Sequence, residues 1–394
     1  MARRERSRKR SRPRVAIIVE TSMASGREIV KGIAQYVREN APWSIYYEPG
    51  HFQEKVPAWL RHWHGEGIIA RVRNREMAEA LDATRLPVVD VLGNIPDTQI
   101  PVVQVDDQAV AQLAAEHLLE RGFRHFAHCS VRGPAWAERR RDAFVTRITE
   151  AGRTCDTYQL PAMQTKAWFS ETARQRLADW VQQLPKPVGI MACNDTAGQK
   201  VLEACRRCGV TVPEEAAVLG VDNDEALCQI ADPMLSSIIP VHDRVGYHAA
   251  ELLDRLMQGH RVPAAPLFLK PTTVVVRRST DVLAMDDRDV AAAVRFIREQ
   301  ACSGIGVEDV VRHVALSYST LRRRFQRILS RSVHDEIIRV RLERAQELLA
   351  ETNLSLARVA VVTGFEHQEY LGAVFRAKLG LTPKQFRDEA RRAG

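Results

Sequence analysis

Residues 364–387 read GFEHQEYLGAVFRAKLGLTPKQFR, and this stretch decides the architecture of the C-terminal part of the chain. Gly364 suits a tight corner, Glu366, His367, Gln368 and Glu369 can open and cap a helix, and Leu371 and Phe375 fall on one helical face. The same pair recurs fifty residues earlier as Leu321 and Phe325, within ALSYSTLRRRFQRI at 315–328. Each copy follows a short apolar helix, Val307–Val314 in the first and Leu356–Thr363 in the second, and Ala315 stands in the first copy where the second has its glycine. Short helix, corner and second helix make a helix-turn-helix, whose second helix enters the major groove of DNA. Between the two units His334–Glu351 reads as one helix, with Ile337, Ile338, Leu342, Ala345, Leu348 and Leu349 inward. At about 18 residues it spans roughly 27 Å, close to the roughly 34 Å between successive major-groove faces on one side of a duplex.

The outward residues of the two second helices supply the chemistry of base reading. Ser319 and Thr320 are short polar residues able to reach base edges, and so is His367 in the second unit. Arg322 and Arg323 face away from the Leu321, Phe325 and Ile328 stripe, and an arginine there can fork onto guanine. Gln368 can do the equivalent for adenine, and Glu369 can accept from cytosine. Arg327, Arg376 and Lys378 read as phosphate contacts, which set affinity rather than sequence. The charge distribution agrees with double-stranded DNA as partner. Of the net +8, about +7 lies in residues 1–14 and about +5 in 289–394, leaving about −4 between them.

Upstream, residues 14–278 alternate short β-branched runs (Val15–Val19, Gly67–Ala70, Pro87–Leu92, Gly189–Ala192, Ala217–Gly220) with amphipathic helices. That rhythm predicts parallel sheets covered by helices, and its length predicts two α/β lobes with a cleft between them. The expected organisation is therefore a basic, disordered tail over 1–13, a two-lobed α/β body over 14–278, a linker over 279–288 and an all-α domain over 289–394. No run reaches the roughly 18 apolar residues of a membrane span and no signal peptide is legible, so the chain is expected in the cytoplasm without a membrane partner. The seven cysteines are scattered and odd in number, which reads as reduced thiols. Cys205-x-x-Cys208 has no second pair at zinc spacing, and no phosphate loop or nucleophile elbow is present. No metal, no cofactor and no catalytic residue is expected.

The 364–387 stretch, through Phe375-Arg376-x-Lys378 and Gly380-Leu381-Thr382-Pro383-x-x-Phe386-Arg387, resembles the AraC family of regulators over about 100 residues, although Ala373 stands where that family often has arginine. The body resembles the periplasmic sugar-binding fold as used in LacI/GalR-type repressors. The matches are Val105-Asp106-Asp107, Glu120-Arg121-Gly122-Phe123, Arg140-x-x-Ala143-Phe144, Cys193-Asn194-Asp195-Thr196-Ala197 and Leu219-Gly220-Val221-Asp222-Asn223. A sugar-binding body followed by an AraC-type domain resembles the bacterial xylose-operon regulators as a family, with Arg27, Trp168, Leu177-Ala178-Asp179-Trp180 and Arg277-Arg278-Ser279-Thr280-Asp281 as further shared pieces.

The resemblance implies a small sugar effector. Asp195 and Asp222 each follow a strand, so they sit at carboxyl strand ends where such sheets bind ligands, and each can accept from two hydroxyls. Arg140 and Asn223 would donate to sugar oxygens, and Trp136 or Trp168 would offer a flat apolar face. Arg71 stands where the xylose regulators carry an acidic residue, and Ser25-Gly26 replaces a bulkier pair; both lie at the cleft mouth. The expected function is a sequence-specific DNA-binding transcription activator controlled by a pentose such as D-xylose, acting as a homodimer with RNA polymerase as a further partner. The alternatives are another sugar or a purine as effector, repression in place of activation, or a sugar-converting enzyme with a regulatory domain.

Overall fold

The alternating β-branched runs fold as anticipated into layered sheets. The computed structural model describes residues 12–40, 42–48, 56–262, 265–281, 287–329, 331–352 and 354–393; the basic tail lies almost wholly outside them. The chain divides into two units, Met1–Val282 and Leu283–Gly394. The strands are β1 (Arg14–Ile18), β2 (Ser44–Tyr47), β3 (Gly67–Ala70), β4 (Val88–Asp90), β5 (Val103–Val105), β6 (His125–Val131), β7 (Cys155–Leu160), β8 (Val188–Ala192), β9 (Ala216–Val221), β10 (Ser236–Ile238), β11 (Leu267–Leu269) and β12 (Val274–Val275).

The first lobe holds the parallel order β2-β1-β3-β4, joined through an Asp90–Val102 bridge to the parallel pair β5–β11. In the second lobe the order is β12-β10-β9-β8-β6-β7, and every pairing is parallel except β12 on β10. Two of these strands carry little apolar signal. Tyr158 and Leu160 alternate with polar residues in the edge strand β7, and β10 is Ser-Ser-Ile with both serines buried. Between β2 and β3 the chain makes only a short 3₁₀ turn, Ala58–His62.

The chain crosses between the lobes after β5, after β10 and after β11. On its second crossing it enters the helix His242–Met257, which packs along Ala24–Glu39 of the first lobe. That contact is backbone-close: a Cβ on Gly32 would lie 1.8 Å from the Asp243 carbonyl oxygen, and one on Gly246 would lie 1.9 Å from that of Ile29. Only glycine fits at such a crossing.

The body also runs further than the sequence suggests. The linker expected from 279 onward does not begin there, because Ser279 and Thr280 are fully buried. Ser279 Oγ donates to the Val218 carbonyl at 2.6 Å and accepts from Ser236 N, while Thr280 Oγ1 meets His117 Nε2 at 3.0 Å.

The C-terminal unit is helical throughout its described residues. Its elements include Arg288–Gln300, Val307–Val314, Tyr318–Leu329, Val333–Glu351, Leu356–Val362, Gln368–Leu379 and Pro383–Ala393. Leu321 and Phe325 are buried in the first helix pair, and Leu371 and Phe375 in the second. Val333–Glu351 is the shared connector. Ile338, Leu342, Ala345 and Leu349 enter the second pair's core, while Arg341 reaches the other way and donates to the carbonyls of Ala301 and Ile305. Serving two cores, the helix buries residues on more than one face.

Candidate functional site

Parallel strands end where their ligands bind, because backbone groups and helix N-termini converge there. In the body these ends carry Glu20 after β1, Arg71 after β3, Arg132 after β6, Asn194 after β8 and Asp222 after β9. All five line one cavity of about 170 Å³ between the lobes, roughly ten times what one water needs. Asp107, at the start of the helix Asp107–Glu120, faces the same space with Trp136, Arg139 and Arg140. The walls are also tied to each other directly: Arg27 Nη2 meets Asp224 Oδ2 at 3.0 Å, Asn94 Oδ1 accepts from Ala135 N at 2.6 Å, and Arg139 donates to the Gly93 carbonyl.

Two carboxylate–arginine clusters organise the cavity. In the first lobe Glu20 accepts from Arg71 Nη1 at 2.5 Å and pairs with Arg73. Burial pushes the Glu20 carboxyl up, but the two guanidiniums outweigh it and hold it below the usual carboxylate range. In the second lobe Asp107 accepts from Arg140 Nε and Arg139 Nε, each at 2.9 Å, and Arg140 also donates to the Cys193 carbonyl at 2.7 Å. Between the clusters sits Asp222, whose Oδ1 lies 3.1 Å from His242 Nε2. Burial raises its pKa, but His242, Arg140 and Arg71 together lower it further, so the carboxylate stays ionised. Asp222 and Asn223 have φ of 104° and 47°, a strained backbone of the kind that gathers at ligand sites.

Several expected ligand residues reach this cavity and others do not. Arg71, Trp136, Arg140 and Asp222 line it, and the Arg140 guanidinium lies 4.9 Å from the Trp136 ring centre. Asp195 does not. It opens the helix Asp195–Cys208 with its carboxylate turned inward, accepting from Ser237 Oγ at 2.5 Å and Asp224 N at 2.7 Å, and burial drives its pKa well up. Asn223 is likewise spent within the protein, its side-chain oxygen accepting from Arg277. Trp168 is packed in the second lobe's core beneath Lys200, whose Nζ is 4.5 Å from the ring centre. Glu20, Asp107 and Asn194 were missed, although the carboxyl-end rule that singled out Asp195 applies equally to Glu20 and Asn194.

Two buried donors at this cavity have no acceptor. Arg71 is 7% exposed and its Nε–H has no partner; Asn194 is fully buried, and while its oxygen caps Ala197 N its Nδ2 has none. An unsatisfied buried N–H is costly, so such groups are best understood as aimed at a ligand or water.

In the C-terminal unit, Ser319, Arg322, Arg323 and Arg327 are exposed on Tyr318–Leu329, with Thr320 half-buried; the exposed Gln326, one turn on from Arg322 and Arg323, belongs to the same face and was missed. Arg322, Arg323 and Arg376 have no ion-pair partner among the described residues. Arg324 turns back to Asp287 and Asp289 at 3.2 and 2.8 Å, and Arg327 lies 3.9 Å from Asp287. In the second unit His367 precedes the helix, and Gln368 donates to Glu369 at 3.2 Å. Lys378 is less free than expected, its ammonium lying 3.4 Å from Asp335 at the start of the connector. The corners differ as the sequence does: Gly364 has φ 77°, and Ala315 takes a left-handed φ of 53° despite its Cβ.

Known proteins carry the same arrangement. Residues 14–107 match the XylR N-terminal domain family, 115–280 the periplasmic binding protein-like domain and 310–389 a helix-turn-helix domain. The Escherichia coli K12 xylose operon regulatory protein is 31% identical over 96% of this chain and 97% of its own length. The Haemophilus influenzae protein of the same name is 30% identical over 95% and 98%. A solved structure described as the xylose-binding transcription activator xylR superposes with a TM-score of 0.81 at 31% identity, covering 96% of this chain and 98% of that one. Among the described residues no helix is long and apolar enough to cross a membrane. With both architectures and their order shared along almost the whole length, this chain belongs to the xylose operon regulatory protein family of DNA-binding transcription regulators.

Proposed function

We propose that this regulator senses a pentose in the interlobe cavity, D-xylose being the sugar in its relatives' names, and that binding favours the closed body and switches the C-terminal unit to activate transcription. The observation that carries the reading is the cavity itself: strand ends of both lobes meet in one space lined by charged side chains and apolar surface, with unsatisfied buried donors on each wall. Ligand can shift the body only by binding one lobe arrangement better than the other. Contacts to the sugar fall to Asp222, Arg140 and Arg71, with Trp136 as the apolar face. In the DNA-binding unit, assigned to residues 289–394, Ser319, Thr320, Arg322, Arg323, His367, Gln368 and Glu369 read bases, and Arg327, Arg376 and Lys378 hold phosphates. The protein works in the cytoplasm as a homodimer on tandem half-sites, contacts RNA polymerase and catalyses no reaction.

The test combines calorimetric titration of the full chain with a sugar panel and DNA binding with and without the sugar that binds. The expected result is a pentose that binds and changes operator affinity. In the same assay Arg322→Ala should relax base preference, whereas Arg376→Ala should weaken all sequences alike and reduce the salt slope by about 1. Equal losses on every sequence from both variants contradict the division of roles.

A further inference from the structure

The cavity is not electrically neutral. Its lining carries Arg71, Arg73, Arg132, Arg139 and Arg140 against Glu20, Asp107 and Asp222, about +2 from the arginines and carboxylates alone. Each cluster is itself unbalanced, one carboxylate being shared by two guanidiniums: Glu20 by Arg71 and Arg73 in the first lobe, Asp107 by Arg139 and Arg140 in the second. Closure therefore brings two net-positive walls together, with Asp222 as the only other carboxylate among the lining residues. Arg132, exposed at the mouth, has no side-chain partner among the described residues. The groups left unsatisfied are also all donors, Arg71 Nε–H on one wall and Asn194 Nδ2 on the other. A neutral sugar would satisfy those donors but would add no counter-charge to the lining's positive excess.

We infer that the effector is a pentose derivative carrying an anionic oxygen group, a carboxylate or a phosphate, which Arg71 binds from its free edge. This rests on the reading that a pentose occupies the cavity and specifies its chemistry. Opposite charge at a buried guanidinium makes short, strong hydrogen bonds, and an anion between the two clusters offsets the repulsion that resists closure. The same ligand charge would thus supply both affinity and preference for the closed form.

The experiment is calorimetric titration of the full-length protein with D-xylose, D-xylonate and D-xylose 5-phosphate at low and high salt. At least one anion should bind about tenfold or more tighter than D-xylose, with the margin shrinking as salt rises. Xylonate ahead identifies a carboxylate site, the phosphate ahead a phosphate site. Arg71→Gln should erase most of the anion's margin; because Arg71 is buried beside Glu20, Arg132→Gln at the exposed mouth provides a second variant, expected to reduce the margin in part. D-xylose binding as tightly as both anions overturns the inference and leaves the pentose reading standing. Binding of none of the three overturns both.

Discussion

Asp107 holds two arginines, and its replacement by asparagine measures how much the ligand-cavity wall depends on one charge. The carboxylate is 5% exposed and accepts from Arg140 Nε and Arg139 Nε, each at 2.9 Å. Arg140 is 3% exposed, so Asp107→Asn leaves a guanidinium buried without its main counter-charge. Breaking a buried pair from one side costs about 3–5 kcal/mol. Two features place this case at the lower end. Arg140 keeps its bond to the Cys193 carbonyl, and Arg139, with its side chain 36% exposed, can be hydrated. The expected loss is about 3 kcal/mol, which for a body of this size lowers its melting temperature by about 6–12 °C. Scanning calorimetry of the full chain would read it as a shift of the body's transition. Asp107→Asn combined with Arg140→Gln should recover part of the loss, since the stranded charge is then gone. A single variant that loses less than about 1 kcal/mol, or a double variant equal to the sum of the singles, would refute the reasoning.

Other expectations follow from groups outside the cavity. His128 is fully buried on β6 with neither ring nitrogen partnered, and burial, then Arg141 and Arg140, push its pKa down to about 3. Because the folded value is depressed below the ordinary 6.5, the stability it contributes is complete above about pH 6.5 and is lost as pH falls toward 3, about 2 kcal/mol of it by pH 5. His128→Leu should flatten denaturant midpoints between pH 7 and 5 and raise stability at pH 7 by about 1–2 kcal/mol; an unchanged pH slope would count against it. The two corners of the DNA-binding unit should respond with opposite signs. Gly364→Ala places a Cβ 2.6 Å from the Ala301 carbonyl oxygen at φ 77° and should cost about 2 kcal/mol or more, whereas Ala315→Gly relieves a left-handed alanine and should gain up to about 1 kcal/mol in thermal unfolding.

The duplicated helix pair, the α/β rhythm and the change of character near residue 280 were all legible in the sequence, because each is a periodic pattern that neighbouring residues express together. Leu321 with Phe325 and Leu371 with Phe375 had to face inward, which put Arg322, Arg323 and Arg376 outside. Carboxyl strand ends were legible for the same reason, and so was the region in which a ligand site would form. Less legible were elements with little apolar signal: β7, a short edge strand with few buried residues, and β10, whose serines are buried because Ser279, Arg277 and Asp195 satisfy them.

What only the tertiary structure decided was which polar residues remain available to a ligand. Asp195, Asn223 and Trp168 stand at the right places in the chain but are taken by Ser237, Arg277 and the second lobe's core, while Glu20, Asp107 and Asn194 turn to the cavity. Lys378 is tied to Asp335 for the same kind of reason. Period and position along a strand are local properties, so one chain segment suffices to read them. Whether a carboxylate faces a cleft or a neighbouring hydroxyl depends on partners tens to hundreds of residues away, and only the folded packing brings them into hydrogen-bond range.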